Sequence, residues 1–317
     1  MNVLMIGGTS QDAFFLMHEH LDKGDRVFAT FRTSKSVDWR RQQLLSAPSR
    51  IENFHPVIFD YLDHAPLAKL IDEKEVDIVY YLASINLPSR VSIDSEAKRE
   101  MRRIHVEFPV RLLHTLIGMP DVRGVFPLSS KMFSLKGDTD LVVSVNESPN
   151  PQNYYGETRS EFWKQLKIIR NSHPVKVLSP ILFNHESIYR FSRPHKEQFV
   201  IQRLRDLLLS GMSINKVLES GIDFAAREDW LNASDVSAAI YRLIQAEYFG
   251  DIVIASGRGS SIFDLLYDFL EERLEHEASR KVKQEMIKFK DKRPCLIGDV
   301  RDLHQIIGKV ESKIVLA

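Results

Sequence analysis

The start of the chain restricts the fold more than any other stretch. Asn2–Ile6 is a short apolar run, Gly7-Gly8-Thr9-Ser10-Gln11-Asp12-Ala13 is a turn of small and polar residues, and Phe14–Leu21 carries an apolar helical pattern. Strand, glycine turn and helix in this order form the phosphate-binding opening of a nucleotide fold, in which free amides at a helix N-terminus hold pyrophosphate. Ser10 and Ala13 stand where a stronger fingerprint has glycines, yet both are small enough for close backbone approach. The alternation then continues. Arg26–Phe31, Val57–Phe59, Asp77–Ala83, Gly124–Leu128, Val175–Phe183 and Asp251–Ser256 read as strands, and Val106–Ile117, Glu157–Arg170, Glu197–Leu209 and Ser261–His276 as helices. This pattern predicts an α/β fold with a Rossmann-like, doubly wound parallel sheet. The expected domains are a dinucleotide-binding domain over residues 1–183, to which 233–256 return, and a smaller C-terminal substrate-binding lobe over 184–317.

Composition narrows the partners. Lys and Arg together number 43, as do Asp and Glu, so no nucleic-acid or membrane-surface partner is expected. The single cysteine, Cys295, permits no internal disulfide, suits a reducing compartment, and reads as a small apolar filler. No apolar run is long enough to span a bilayer, and Met1–Gly8 is too short and too quickly broken by glycine for a signal peptide. The expected location is the cytoplasm. His18 and His20, two apart on a helix, fall on different faces and are expected to be solvated; no metal site is expected.

The candidate chemistry follows the sheet. Arg32 with Lys35 after the second strand favours NADP over NAD, since an Arg there accommodates the 2′-phosphate. Asp60, at the tip of the third strand, suits the adenine edge, and Ala83 ends the fourth strand with a side chain small enough to pass beneath a cofactor. The pair Ser129-Ser130 ends a strand at the crevice where such sheets bind ligands. Asn150–Arg159 is a proline-rich turn running into a helix, with Tyr155 and Arg159 one turn apart on one face. A phenol beside a fixed cation has its anionic form favoured, and so can exchange a proton with a sugar hydroxyl or ketone near neutral pH.

Together these residues resemble the extended short-chain dehydrogenase/reductases, and within them the GDP-mannose 4,6-dehydratase family. The resemblance is carried by Thr9-Ser10-Gln11-Asp12, Tyr80-Tyr81-Leu82-Ala83, the tyrosine helix, Ile181-Leu182-Phe183-Asn184-His185-Glu186-Ser187, Phe199-Val200, Asp229-Trp230 with Asp235, and Arg293-Pro294. It implies Tyr155 as the proton-exchanging residue, Ser130 as the hydroxyl on the reacting sugar oxygen, and Arg159 in the place of the family's lysine. It also implies Gly7, Thr9, Ser10, Gln11, Asp12, Arg32, Asp60, Leu82, Ala83 and His185 at the cofactor, with Asn184, Arg227 and Arg293 on the nucleotide-sugar.

The departures are informative. A 4,6-dehydratase of this family uses a carboxylate two residues after the Ser/Thr, and counted from Ser130 that place is Met132, with no carboxylate before Lys136. A planar guanidinium at Arg159 is not equivalent to an ammonium. The resemblance therefore implies hydride transfer at carbon 4 of a GDP-mannose-like sugar, by a reductase, dehydrogenase or epimerase using NADP, with NAD as the other cofactor. The alternatives are a full GDP-mannose 4,6-dehydratase, with Glu147 or Glu157 as a substitute base, and a non-catalytic NADP(H) or nucleotide-sugar binder. A homodimer or homotetramer is implied, with Trp39-Arg40-Arg41 as a subunit contact; the plainer reading of that run is a solvated basic loop. Polysaccharide biosynthesis is the implied setting.

Overall fold

The computed structural model describes residues 1–44, 51–59, 65–85, 93–187, 199–288, 293–310 and 314. Asp60 lies outside the described residues, as does the expected helix start at Glu197. The chain divides into two compact units. The first comprises Met1–Phe133, Ser148–Leu182 and Ser237–Ile252, and the second Ser134–Glu147, Phe183–Val236 and Val253–Ala317.

The first unit is built on a sheet. Its strands are β1 (Asn2–Ile6), β2 (Arg26–Phe31), β3 (Phe54–Ile58), β4 (Ile78–Tyr81), β5 (Arg123–Val125), β6 (Leu128–Ser129), β8 (Val177–Leu182) and β11 (Gly250–Ile254). They run in the order β11-β8-β5-β4-β1-β2-β3, with β6 beside β8. The pairs β1–β2, β1–β4, β2–β3, β4–β5, β5–β8 and β6–β8 are parallel. Strand order reverses between β1 and β4, which makes that edge the switch point where doubly wound sheets take ligands. Val3–Ile6 and Ile78–Tyr81 are buried throughout, as strands covered on both faces must be.

Helices α1 (Gln11–Asp22), α2 (Ser34–Leu44), α3 (Ala65–Glu73), α4 (Ser95–Arg102), α5 (Phe108–Ile117), α6 (Tyr154–Ser172) and α9 (Ala233–Gln245) complete this unit. α4 and α5 are one helix interrupted by a π turn at Arg103–Glu107, where the Phe108 amide bonds the Arg103 carbonyl. Pro109 accounts for the break, because it has no amide to donate to the carbonyl four residues back and its ring crowds that carbonyl. A ladder of rings, Tyr81–Phe108 (5.8 Å), Tyr81–Phe126 (5.9 Å) and Phe126–Phe162 (5.9 Å), fastens β4, α5, the end of β5 and α6 together. Trp163 donates to Asp251 at 2.8 Å, and Arg170 pairs with the same carboxylate. His20 corrects an expectation. It is fully buried, not solvated, with Nδ1 on Asp25 at 2.7 Å and Nε2 on the Tyr80 hydroxyl at 2.9 Å.

The second unit holds β7 (Leu141–Val143), β9 (Asn184–Glu186), β10 (Arg227–Asn232), β12 (Gly259–Ser261) and β13 (Leu296–Gly298). β10 pairs antiparallel with β12 and parallel with β9, and β13 pairs parallel with β7. Ser134–Glu147, expected within the dinucleotide-binding domain, falls in this unit because its strand β7 joins β13. Helices α7 (Val200–Leu209), α8 (Ile214–Leu218), α10 (Ile262–Glu272) and α11 (His276–Lys288) enclose an apolar core of Ile201, Leu204, Val217, Phe263, Leu266 and Val282. Ser261 and Asp264 form a reciprocal capping box at the start of α10. α12 (Arg301–Ile307) follows β13. No described helix is long and apolar enough to cross a membrane.

Candidate active site

The N-terminus of α6 organises the site. Asn153 caps the helix, its side-chain oxygen accepting from the Gly156 amide at 2.8 Å. Residues Ser130–Met132 form a single 3₁₀ turn that packs against this end of α6. A Cβ on Gly156 would sit 2.1 Å from the Lys131 carbonyl, so only glycine allows the approach. With the helix seated there, Arg159 places its guanidinium 5.3 Å from the Tyr155 ring centre and donates to Ser84 Oγ at 2.7 Å. Burial pushes the Tyr155 phenol up, but the Arg159 charge and hydrogen bonding by Arg159, Ser129 and Ser84 outweigh it and hold the pKa below the ordinary tyrosine value.

The serine whose hydrogen bonding helps to lower the Tyr155 pKa is Ser129, not the expected Ser130. β6 ends at Ser129 and Ser130 opens the 3₁₀ turn, so the two adjacent serines are set differently by the backbone. Ser130 is buried, and its carbonyl closes the 3₁₀ turn by accepting from the Phe133 amide. Counted from Ser129, the place of the family's carboxylate is Lys131, while Met132 is a fully buried core residue. No carboxylate replaces it in the turn.

At the switch point, Gly7 adopts φ +98°, and a Cβ there would lie 2.6 Å from the Ala83 nitrogen. Gly7, Leu82 and Ala83 are thus in direct backbone contact. Gly7 N donates to Thr30 Oγ1 at 3.1 Å and Gly8 N to the Thr30 carbonyl at 2.9 Å. Ser10 caps α1 by accepting from the Ala13 amide at 3.0 Å. Thr9, Gln11 and Asp12 lie partly exposed at this end of α1. Sequence reading missed the residue that braces the loop. Arg40, read as a solvated loop or subunit contact, is almost wholly buried and donates to the carbonyls of Gly8 (3.0 Å) and Ser10 (2.9 Å). Its cation also lies over the Phe14 and Trp39 rings. Arg32 is exposed, 4.0 Å from Glu100.

The remaining expected residues belong to the second unit. Arg227 forms a two-pronged pair with Asp140 (2.9 and 3.2 Å) and donates to the Arg293 carbonyl at 2.7 Å. Arg293 in turn pairs with Asp223 at 2.5 Å. His185 Nδ1 donates to the Phe183 carbonyl at 2.8 Å, and Asn184 faces Trp230 in the β9–β10 register. No group of His, Cys, Asp and Glu residues able to hold a metal ion occurs among the described residues.

A parallel sheet reversing between β1 and β4, with a Tyr-x-x-x-Arg helix beside it, defines an extended short-chain dehydrogenase/reductase. Within that class the chain belongs to the GDP-mannose 4,6 dehydratase family, whose model matches residues 4–308. It is 26% identical to the GDP-mannose 4,6-dehydratase of Sordaria araneosa over 84% of this chain and 46% of that protein. It is 25% identical to that of Vibrio cholerae over 80% and 67%. The chain thus spans about half the length of the first of these relatives. Among solved structures, UDP-glucuronic acid 4-epimerase from Bacillus cereus, in complex with UDP-glucuronic acid and NAD, superposes with a TM-score of 0.73. It covers all of this chain and 95% of its own at 16% identity, a likeness of fold.

Proposed function

We propose that the chain is a nicotinamide-dinucleotide-dependent enzyme that transfers hydride at carbon 4 of a GDP-mannose-like sugar, as a reductase, dehydrogenase or epimerase. The observation that carries this reading is the Tyr155 phenol, held below its ordinary pKa by Arg159 with Ser129 and Ser84 in hydrogen-bonding reach. Such a phenol takes the proton of a sugar hydroxyl as it becomes a carbonyl, or returns it in the reverse sense. Ser129 would hold the reacting oxygen beside it.

The dinucleotide has a fitting cradle. Gly7 lets the turn pack directly on the Leu82–Ala83 backbone, and Arg40 ties back the Gly8 and Ser10 carbonyls, so the loop presents the N-terminus of α1 to a pyrophosphate. A bound nicotinamide would supply the hydride acceptor and donor. Thr9, Ser10, Gln11 and Asp12 would line the phosphates, Leu82 and Ala83 would pass beneath the cofactor, and His185 would approach the nicotinamide; Arg227, Arg293 and Asn184 would take the nucleotide-sugar. Arg32 supports NADP over NAD. Arg32→Ala is expected to weaken NADP binding about tenfold and leave NAD binding unchanged. Equal dissociation constants for NADP and NAD in the unaltered protein would refute the preference.

The second reading is a full 4,6-dehydratase, favoured by the family match over residues 4–308. Lys131 weighs against it. A lysine ammonium can give a proton but has no lone pair with which to take one from carbon 5, and losing an acid/base group there costs about 10²–10⁴-fold. We further place the protein in the cytoplasm with neither nucleic acid nor membrane as partner, supported by its single buried cysteine and balanced charge; a homodimer or homotetramer in polysaccharide biosynthesis rests on the family likeness alone. A binder without turnover would show no activity for Tyr155→Phe to remove.

A further inference from the structure

Beside the phenol, the buried His105 and Thr158 connect with Ser84, an exposed serine in the loop after β4. His105, from the π turn, is fully buried, with Nε2 accepting from the Ile85 amide at 3.1 Å. An amide can only donate, so the ring hydrogen sits on Nδ1 and is directed to Thr158 Oγ1 at 2.9 Å. Thr158 Oγ1 then donates to the Tyr155 carbonyl at 2.8 Å. Burial, and secondarily the Arg159 charge, keep this imidazole neutral. Ser84 Oγ lies at the junction. It accepts from Arg159 at 2.7 Å and lies 3.3 Å from His105 Nε2, and its hydrogen bonding helps to lower the Tyr155 pKa.

We propose that Ser84 is a positioning residue for the proton-exchanging tyrosine, a hydroxyl rotor that anchors the Arg159 guanidinium and swings its hydrogen between His105 Nε2 and the Tyr155 oxygen. The inference rests on the reading of Tyr155 given above. With Tyr155 protonated, the phenol donates to Ser84, Arg159 donates to Ser84, and Ser84 donates to His105. When the phenol loses its proton to a bound sugar oxygen, the Ser84 hydrogen turns to the phenolate. His105 Nε2 stays satisfied by the Ile85 amide in both states. Because Arg159 delivers one N–H to Ser84, the serine lets the wide, planar guanidinium act from a fixed position. The groups that face Tyr155 are Arg159 from its own helix, His105 from the π turn, Ser129 from β6 and Ser84 from the loop after β4.

The test is a phenolate absorbance titration of the full chain without added nucleotide, so it does not depend on turnover. The chain has nine tyrosines, and subtracting the Tyr155→Phe curve isolates Tyr155. The expected result is a Tyr155 midpoint below that of the other tyrosines, moved up by about one pH unit in Ser84→Ala. Ser84→Thr, which keeps the hydroxyl, is expected to stay near the unaltered value. A Ser84→Ala midpoint equal to the unaltered one overturns the role of Ser84 and leaves the reading of Tyr155 standing. Equal upward shifts in Ala and Thr overturn it in favour of packing. A Tyr155 midpoint no lower than the others overturns the reading of Tyr155 itself, and the Ser84 role with it.

Discussion

Replacing Tyr155 with Phe is expected to lower turnover by about 10³-fold while bound dinucleotide is retained. The change removes one oxygen. The ring keeps its edge-to-face contact with His105, with centroids 5.2 Å apart, and the residue's backbone carbonyl still accepts from Thr158. α6 keeps its Asn153 cap, and the Gly7–Ala83 cradle is untouched. The loss is therefore expected in kcat, with KM and cofactor affinity near their unaltered values. The pH dependence has a definite sign. Oxidation needs the phenolate, so its rate should rise with pH and level off below the free tyrosine pKa of about 10. Turnover within tenfold of the unaltered protein would mean that another group moves the proton.

The largest expected loss of stability is at Asp229, which is not proposed to touch substrate or cofactor. Its carboxylate is fully buried and accepts from the Ser256 amide and hydroxyl (2.7 Å each), the Gly257 amide (3.0 Å) and the Gly298 amide (3.1 Å). It thereby fastens β10 to the loop after β11 and to the end of β13. Burial raises its pKa, and the hydrogen bonds offset only part of that rise. Asp229→Ala would strand three backbone donors in a space closed to water, at about 3–5 kcal/mol in all. Urea unfolding of the full chain reads this directly. A loss under about 1 kcal/mol would mean that water or relaxation replaces the carboxylate.

The alternating strands and helices were legible because fully buried parallel strands and helical periodicity leave different patterns, and β1, β2, β4 and β8 sit where their apolar runs do. Element ends were less legible. α1 begins at Gln11, ahead of its first apolar residue, because the Ser10 cap sets the start. The helix expected from Val106 begins at Ser95, since its first turns are polar and Pro109 divides it. Residues Tyr155 and Arg159 could be paired on helical spacing alone. Ser129 could not be chosen over Ser130, because the choice depends on where β6 ends and the 3₁₀ turn opens. Ser84, His105 and Arg40 carry no local motif. They reach their partners across 75, 53 and 32 positions of chain, and only the folded sheet brings them together.

The most direct measurement uses GDP-mannose carrying deuterium at carbon 4, incubated with the full chain and NADP, with sugar and nicotinamide both read by mass spectrometry. Deuterium on the nicotinamide, with no water lost from the sugar, is the expected result for hydride transfer at carbon 4 without elimination. Loss of one water with the deuterium kept on the sugar would contradict it, and Lys131 would then have to be reconciled with a complete dehydratase cycle.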